Sequence, residues 1–324
     1  MKVLIIGGAG MVGRKLAERL VRDGRLGDTA ISALTLYDVV APTKPAAASF
    51  PVQCLTGDLP AVGETDRLVA DRPDVIFHLA AIVSGEAEQD FEKGYRINLD
   101  GTRNLFESVR RADYRPRIVF TSSIAVFGAP FPEAIGDEFF TTPLTSYGTQ
   151  KAIGELLLAD YTRKGIFDGI GIRLPTICVR PGAPNKAASG FFSNIIREPL
   201  AGKEAVLPVG EDVRHWHASP RAAVGFLVHA ATIDGEKVGP RRNLTMPGLS
   251  VTVGEQIEAL RRAAGDKAVA LIRREPDPAI VKIVAGWPRN FDASRAAGLG
   301  FTAEASFDEI IRAHVEDELG GRIG

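Results

Sequence analysis

At 324 residues the chain is long enough for one large domain plus a smaller lobe. Its 39 basic and 40 acidic residues nearly cancel, so charge gives no reason to expect nucleic acid or an anionic membrane as partner. Cys54 and Cys178, the two cysteines, lie in apolar or strand-like stretches and suit buried thiols in a reducing compartment better than a disulfide framework.

No signal-peptide pattern precedes the first strand, and no apolar run approaches the roughly 20 residues of a membrane span, which predicts a cytoplasmic protein with small ligands. The chain opens with an apolar strand over 2–6 and an amphipathic helix over 11–22. Strands follow at 33–38, 52–55, 75–79, 118–122 and 169–174, with helices near 64–71, 91–112 and 146–164. This alternation of wholly apolar strands with helices predicts an α/β, Rossmann-type, doubly wound parallel sheet. Beyond Pro175 the rhythm breaks, with Pro181, Pro184, Pro199 and Pro208 punctuating the chain and helices near 219–232, 253–264 and 306–319. We divide the chain into a cofactor-binding domain over 1–175 and, over 176–324, mainly a substrate-binding lobe, some of whose segments return to the first domain.

Between the first strand and helix runs Gly7-Gly8-Ala9-Gly10-Met11-Val12-Gly13. Gly7 permits a tight turn, Gly10 lets backbone approach a pyrophosphate, and Gly13 allows close helix–sheet packing, while the free N–H groups at Met11 and Val12 begin a helix aimed at phosphate. The second strand ends in Asp38, where a carboxylate can accept from ribose hydroxyls and would repel a 2′-phosphate, so NAD is favoured over NADP. Asp58, in T-G-D-L, is placed for the adenine amino group or for a turn. In F-H-L-A-A the small Ala80 and Ala81 suit backbone lying close to a cofactor, and His78 is read as a buried, satisfied histidine.

Tyr147 and Lys151, in S-Y-G-T-Q-K, are spaced to stack on one helix face, and an ammonium beside a phenol favours the phenolate. The spacing alone also fits a surface pair. Together with N-L-D-G-T at 98–102, T-S-S-I-A-V-F-G at 121–128, H-L-A-A at 78–81 and the glycine turn, it resembles the extended short-chain dehydrogenase/reductases, also called the NAD-dependent epimerase/dehydratase family. The resemblance covers nearly the whole chain and implies a Ser–Tyr–Lys catalytic set of Ser123, Tyr147 and Lys151, with Ser122 as the alternative hydroxyl. It implies cofactor contacts from Leu59, Leu79, Asn98, Ser122, Pro175, Tyr147 and Lys151, and a homodimer formed through helices 91–112 and 146–164. In the implied chemistry Tyr147 takes the hydroxyl proton of a secondary alcohol as hydride leaves its carbon, Lys151 stabilises the phenolate, and Ser123 orients the reacting oxygen.

Dehydratases of the family keep an acid beside the central hydroxyl, where this chain has Ile124 and Ala125, so net oxidation is favoured. The nucleotide-sugar epimerases carry an R-D-F-x-H-V-x-D type segment; here that region reads Arg214-His215-Trp216-His217-Ala218-Ser219-Pro220. The stretches at 180–193 and 213–224 are similar to a subgroup that oxidises small 2-hydroxy sugar acids. A small anionic polyol needs a cation and hydrogen-bonding groups: Arg214, Asn185 and Ser189 are the candidates, with Arg180 in reserve. His215 and His217 lack a sequence-adjacent third ligand, so packing or polar substrate contacts are expected there and no metal. Trp216 is read as an anchor of the lobe or an interface, and 286–301 as lobe packing. A nucleotide-sugar 4-epimerase and an NAD-binding redox sensor remain the alternatives.

Overall fold

The computed structural model describes residues 1–182 and 188–323. Seven strands form the central sheet: β1 (Lys2–Ile6), β2 (Ala33–Asp38), β3 (Val52–Thr56), β4 (Val75–His78), β5 (Arg117–Ser123), β6 (Asp168–Leu174) and β7 (Asn243–Thr245). Their order is β7-β6-β5-β4-β1-β2-β3, and every pairing is parallel. Alternation along β1 feeds two cores. Val3 and Ile5 face one side, with α1 (Met11–Asp23); Leu4 and Ile6 face the other, with Leu105, Phe106 and Leu158. Each of these four β1 side chains is essentially removed from water, contributing on the order of 1.5–3 kcal/mol of transfer free energy.

The chain runs from β1 outward to β2 and β3, then returns to place β4 on the other side of β1. The crevice at the carboxyl ends of β1 and β4 is therefore the topological switch point, where open parallel sheets bind ligands. The second face of the sheet is covered by α2 (Glu64–Val69), α3 (Gly101–Ala112) and α4 (Ser146–Arg163). Thr145 caps α4 by accepting the Gly148 N–H at 3.1 Å, which sets the helix start one residue before Tyr147.

The predicted helix over 91–112 is one helical path with an interruption: Phe91–Gly94 is α-helical, Tyr95–Asp100 is a π-turn, and α3 follows. Hydrophobic periodicity cannot register such a turn. Its consequence is local to Asn98, whose amide is directed at the backbone of Ile82.

After β6, α5 (Gly190–Leu200), α7 (Val253–Val269) and α8 (Phe307–Glu318) pack a second core through Phe192, Ile196, Ile257, Leu260, Ile310 and Ile311. The predicted 253–264 helix continues to Val269 across a break at Gly265, whose φ is 78°. Two later segments belong to the sheet: α6 (Pro220–Thr232) covers its first face, and β7 pairs with β6. A small three-stranded sheet links the lobes. In it Arg214–Ala218 pairs parallel with Thr176–Ile177 and antiparallel with Leu249–Thr252. Among the described residues no helix is long and apolar enough to cross a membrane.

Candidate active site

A cavity of about 490 Å³ lies in the switch-point crevice and continues toward the second core. Its floor is the phosphate turn. Gly7 sits at φ +96°, and a Cβ there would come within 2.7 Å of the Ala80 amide nitrogen. A Cβ on Gly13 would come within 2.1 Å of the Gly7 carbonyl oxygen, so that turn and helix can meet only through glycine. Gly7, Gly10, Met11, Val12 and Gly13 all line the cavity, and the N-terminal N–H groups of α1 have no side-chain cap. A glycine cradle at an uncapped helix start fits the pyrophosphate of a dinucleotide.

Asp38 ends β2 over this turn, accepting from the Ala9 N–H at 2.9 Å and the Val40 N–H at 3.3 Å. Asp58 pairs with Arg96 at 2.6 Å, an exposed contact that occupies one carboxylate oxygen. Leu59 is turned into the core, and Ala80 packs against the same core. Neither lines the cavity, whereas Leu79 and Ala81 do. Asn98 is buried and fully engaged: it bonds both ways with the Ile82 backbone, at 2.9 and 3.1 Å, and donates to Gln150 at 2.7 Å. It holds the 80–83 loop in place from behind.

β5 and α4 bring Ser123, Tyr147 and Lys151 to one wall. The two serines separate by partner. Ser122 donates to Glu155 at 2.5 Å and is buried, whereas the Ser123 hydroxyl faces Tyr147 and accepts the Ala125 N–H at 3.1 Å. Burial raises the Tyr147 pKa above its ordinary value, and the neighbours that oppose this are the Ser123 hydroxyl and the Arg180 guanidinium. Lys151 donates to the Thr121 carbonyl at 2.8 Å, with its Nζ 4.8 Å from the Phe120 ring centroid and 5.8 Å from that of Tyr147.

Burial lowers Lys151 to about 7, with Glu155 one turn on opposing the shift. Since this folded value lies below the ordinary 10.5, the unfolded chain holds more protons between those values, and stability rises with pH across that window. The penalty is complete below about 7. Lys151→Met removes it, so the stability of the variant relative to the natural chain should be most favourable near neutrality and decline toward alkaline pH in urea unfolding. A difference constant with pH would contradict the shift.

Pro175 follows β6 and lines the cavity, as do Thr176, Ile177, Arg180 and Ser189. Arg180 donates to the Ile177 carbonyl at 2.9 Å and to the Ser189 hydroxyl at 3.1 Å. Among the described residues no carboxylate pairs with it. Arg214 is placed elsewhere: its strand register opposes Thr252, whose capping-box partner Glu255 lies 3.3 Å from the guanidinium, and it also donates to the Ser250 carbonyl. Arg214, the first candidate for a substrate carboxylate, does not line the cavity, whereas Arg180 does. Asn185 lies outside the described residues.

Sequence reasoning missed Thr176, Trp287 and Pro288, which with His215 form the far wall. The 286–301 segment, expected to serve packing alone, reaches the cavity through the G-W-P run at its start. Trp216 is an anchor, its indole N–H donating to the Met246 carbonyl at 3.2 Å. His215 and His217 are both buried, and burial lowers both pKa values. Among the described residues no group of three or more His, Cys, Asp or Glu side chains could hold a metal.

The model of the NAD dependent epimerase/dehydratase family matches residues 3–239. A protein named D-erythronate dehydrogenase from Cupriavidus necator is 49% identical over 321 residues, covering 98% of each chain. A Haemophilus influenzae protein of the same name is 43% identical, covering 98% of this chain and 100% of its own. The crystal structure of an Agrobacterium tumefaciens protein named nucleoside-diphosphate-sugar epimerase superposes with a TM-score of 0.98 at 69% identity, covering 100% of this chain and 96% of that one.

Proposed function

The chain belongs to the NAD dependent epimerase/dehydratase family and is an NAD-dependent oxidoreductase acting on CH–OH, and from that premise we propose that its substrate is a small 2-hydroxy sugar acid, D-erythronate first, oxidised at C2 to the 2-oxo acid. The observation that carries this reading is Arg180. An arginine without an ionic partner among the described residues shares a cavity with Ser123, Tyr147 and Lys151, and a guanidinium so placed suits a carboxylate. The names of the Cupriavidus and Haemophilus relatives support the choice of acid.

NAD, when bound, supplies the hydride acceptor; Gly7, Gly10, Met11, Val12, Gly13 and Asp38 would hold it. The chain's own groups do the rest. Tyr147, as phenolate, accepts the proton of the substrate C2 hydroxyl. Ser123 donates to the same oxygen as it becomes a carbonyl, and Arg180 fixes the carboxylate, with Ser189 beside it. Arg180 also favours the Tyr147 phenolate, so one cation serves both binding and base formation. Lys151, close to neutrality in its own titration, can take up or release a proton behind the phenol.

Purified protein given NAD and D-erythronate should gain absorbance at about 340 nm, the band of reduced nicotinamide. Silence across the four-carbon aldonates would end this reading. The name of the Agrobacterium protein favours a second reading, a nucleotide-sugar epimerase, which would convert a nucleotide sugar with no net reduced cofactor. Arg180→Met should lower kcat/KM for the acid about 100-fold, through KM because the carboxylate contact is lost and through kcat because the Tyr147 phenolate loses its cation. Steady-state kinetics check this, and an unchanged KM would remove Arg180 from carboxylate binding.

A further inference from the structure

The far wall of the cavity holds a hydrogen-bond chain with a fixed direction. His215 Nδ1 lies 2.8 Å from the Pro288 carbonyl oxygen, and His215 Nε2 lies 2.7 Å from the Thr176 hydroxyl. A carbonyl can only accept, so the Nδ1 atom carries the proton. The ring is buried, stacked nearly parallel on Phe192 at 5.3 Å between centroids, and its pKa is lowered to about 4, so it is neutral in ordinary buffers. Nε2 is then a bare lone pair, and the Thr176 hydroxyl must donate to it. With its single proton committed, the Thr176 oxygen can offer the cavity acceptor lone pairs only.

Thr176 lines the cavity four residues before Arg180, which supplies donors and positive charge. The wall therefore has two unlike subsites. An anionic group suits Arg180 and meets only lone pairs at Thr176; a hydroxyl group, which can donate, suits Thr176. Resting on the reading of the substrate as a polyhydroxy acid, we infer that Thr176, oriented by His215 and the Pro288 carbonyl, is a specificity-determining residue that accepts a hydrogen bond from a substrate hydroxyl beyond the reacting carbon. Thr176 contacts the substrate; His215 is a positioning residue that acts through it. The arrangement would also orient the acid, since a reversed pose puts carboxylate oxygens against lone pairs.

The test compares D-erythronate with 2-hydroxybutanoate, which keeps the carboxylate and the reacting hydroxyl but lacks both distal hydroxyls. Thr176→Val, nearly isosteric, should lower kcat/KM for D-erythronate about 10- to 100-fold while changing that for 2-hydroxybutanoate little, so the ratio between the two substrates collapses. Thr176→Ser, which keeps the hydroxyl, should preserve most of the ratio. His215→Phe keeps an aromatic ring on Phe192 but deletes the acceptor, and should lower the ratio in the same direction. NAD affinity and melting temperature, measured on each variant, identify any that fails to fold. Equal losses on both substrates, or no loss in Thr176→Val, overturn the assignment, and an unchanged ratio in folded His215→Phe overturns the orienting role. If the natural chain oxidises 2-hydroxybutanoate and D-erythronate equally well, Thr176 reads no hydroxyl. If it oxidises no four-carbon acid at all, the parent reading falls and this one with it.

Discussion

Tyr147→Phe should lower kcat for oxidation of D-erythronate by about 10²- to 10⁴-fold, the range for loss of a general base, while NAD affinity stays as in the natural chain. Phenylalanine keeps the ring on the cavity wall and deletes only the oxygen. Ser123 cannot replace it, because a serine hydroxyl can orient the reacting oxygen but is far too weak an acid to stand as its proton acceptor near neutrality. Burial raises the phenol's pKa, so the phenolate depends on Ser123 and Arg180, and on the charge state of its surroundings when substrate is present. Activity should therefore rise with pH toward the alkaline range in the natural chain, and the residual activity of the variant should not follow that profile. Stopped-flow measurement of cofactor reduction reads the chemical step directly. A loss of less than an order of magnitude would remove Tyr147 from the role of base.

A second large effect is expected in stability, from Arg173→Met. Arg173 is buried, donates to both oxygens of Glu155 at 2.9 and 2.7 Å, lies 3.8 Å from Asp137, and has its guanidinium carbon 4.9 Å from the Phe127 ring centroid. Glu155 also accepts from Ser122, and Asp137 accepts from the Thr245 amide and pairs with Arg295. Removing the arginine leaves the buried Glu155 carboxylate without its cation, which costs about 3–5 kcal/mol in comparable buried pairs. Denaturant unfolding of Arg173→Met should show that loss. The double variant Glu155→Leu, Arg173→Met should regain much of it, since an apolar pair carries no uncompensated charge. A single variant within about 1 kcal/mol of the natural chain would show that the network is compensated from elsewhere. Because Glu155 lies one helical turn beyond Lys151 and favours its protonated form, the single variant should also alter the pH profile of oxidation.

Residues whose tasks depend on their immediate neighbours were legible in the sequence. The glycine turn is an example: its three glycines, a strand before and a helix after are all within one short stretch, and the structure places Gly7 and Gly13 where only a missing Cβ allows the contact. The order of strands and helices through β6 was legible for the same reason. Asn98 was visible as a motif residue, but the π-turn that aims it at Ile82 was not, because apolar spacing is tolerant of one inserted residue. Arg214 and Arg180 looked alike as cations in the substrate half. What separates them is register: Arg214 opposes Thr252 across an antiparallel pair, which brings Glu255 to it, and nothing local to the arginine announces that.

Motifs in consecutive residues, or within one period of helix or strand, were enough to specify the family, the parallel sheet and the preference for NAD, and to mark Tyr147, Lys151 and the Ser122–Ser123 pair as candidates. Which hydroxyl faces Tyr147, which arginine shares its cavity, and that Thr176, His215, Trp287 and Pro288 close the far side became readable once the chain was folded. Those four residues come from three segments far apart along the chain. They meet because a parallel pairing sets Thr176 beside His217 while the Pro288 carbonyl holds the His215 ring. Backbone hydrogen bonding fixes which strands are neighbours and in what register, and long-range packing does the same for loops. Spacing along the chain carries neither.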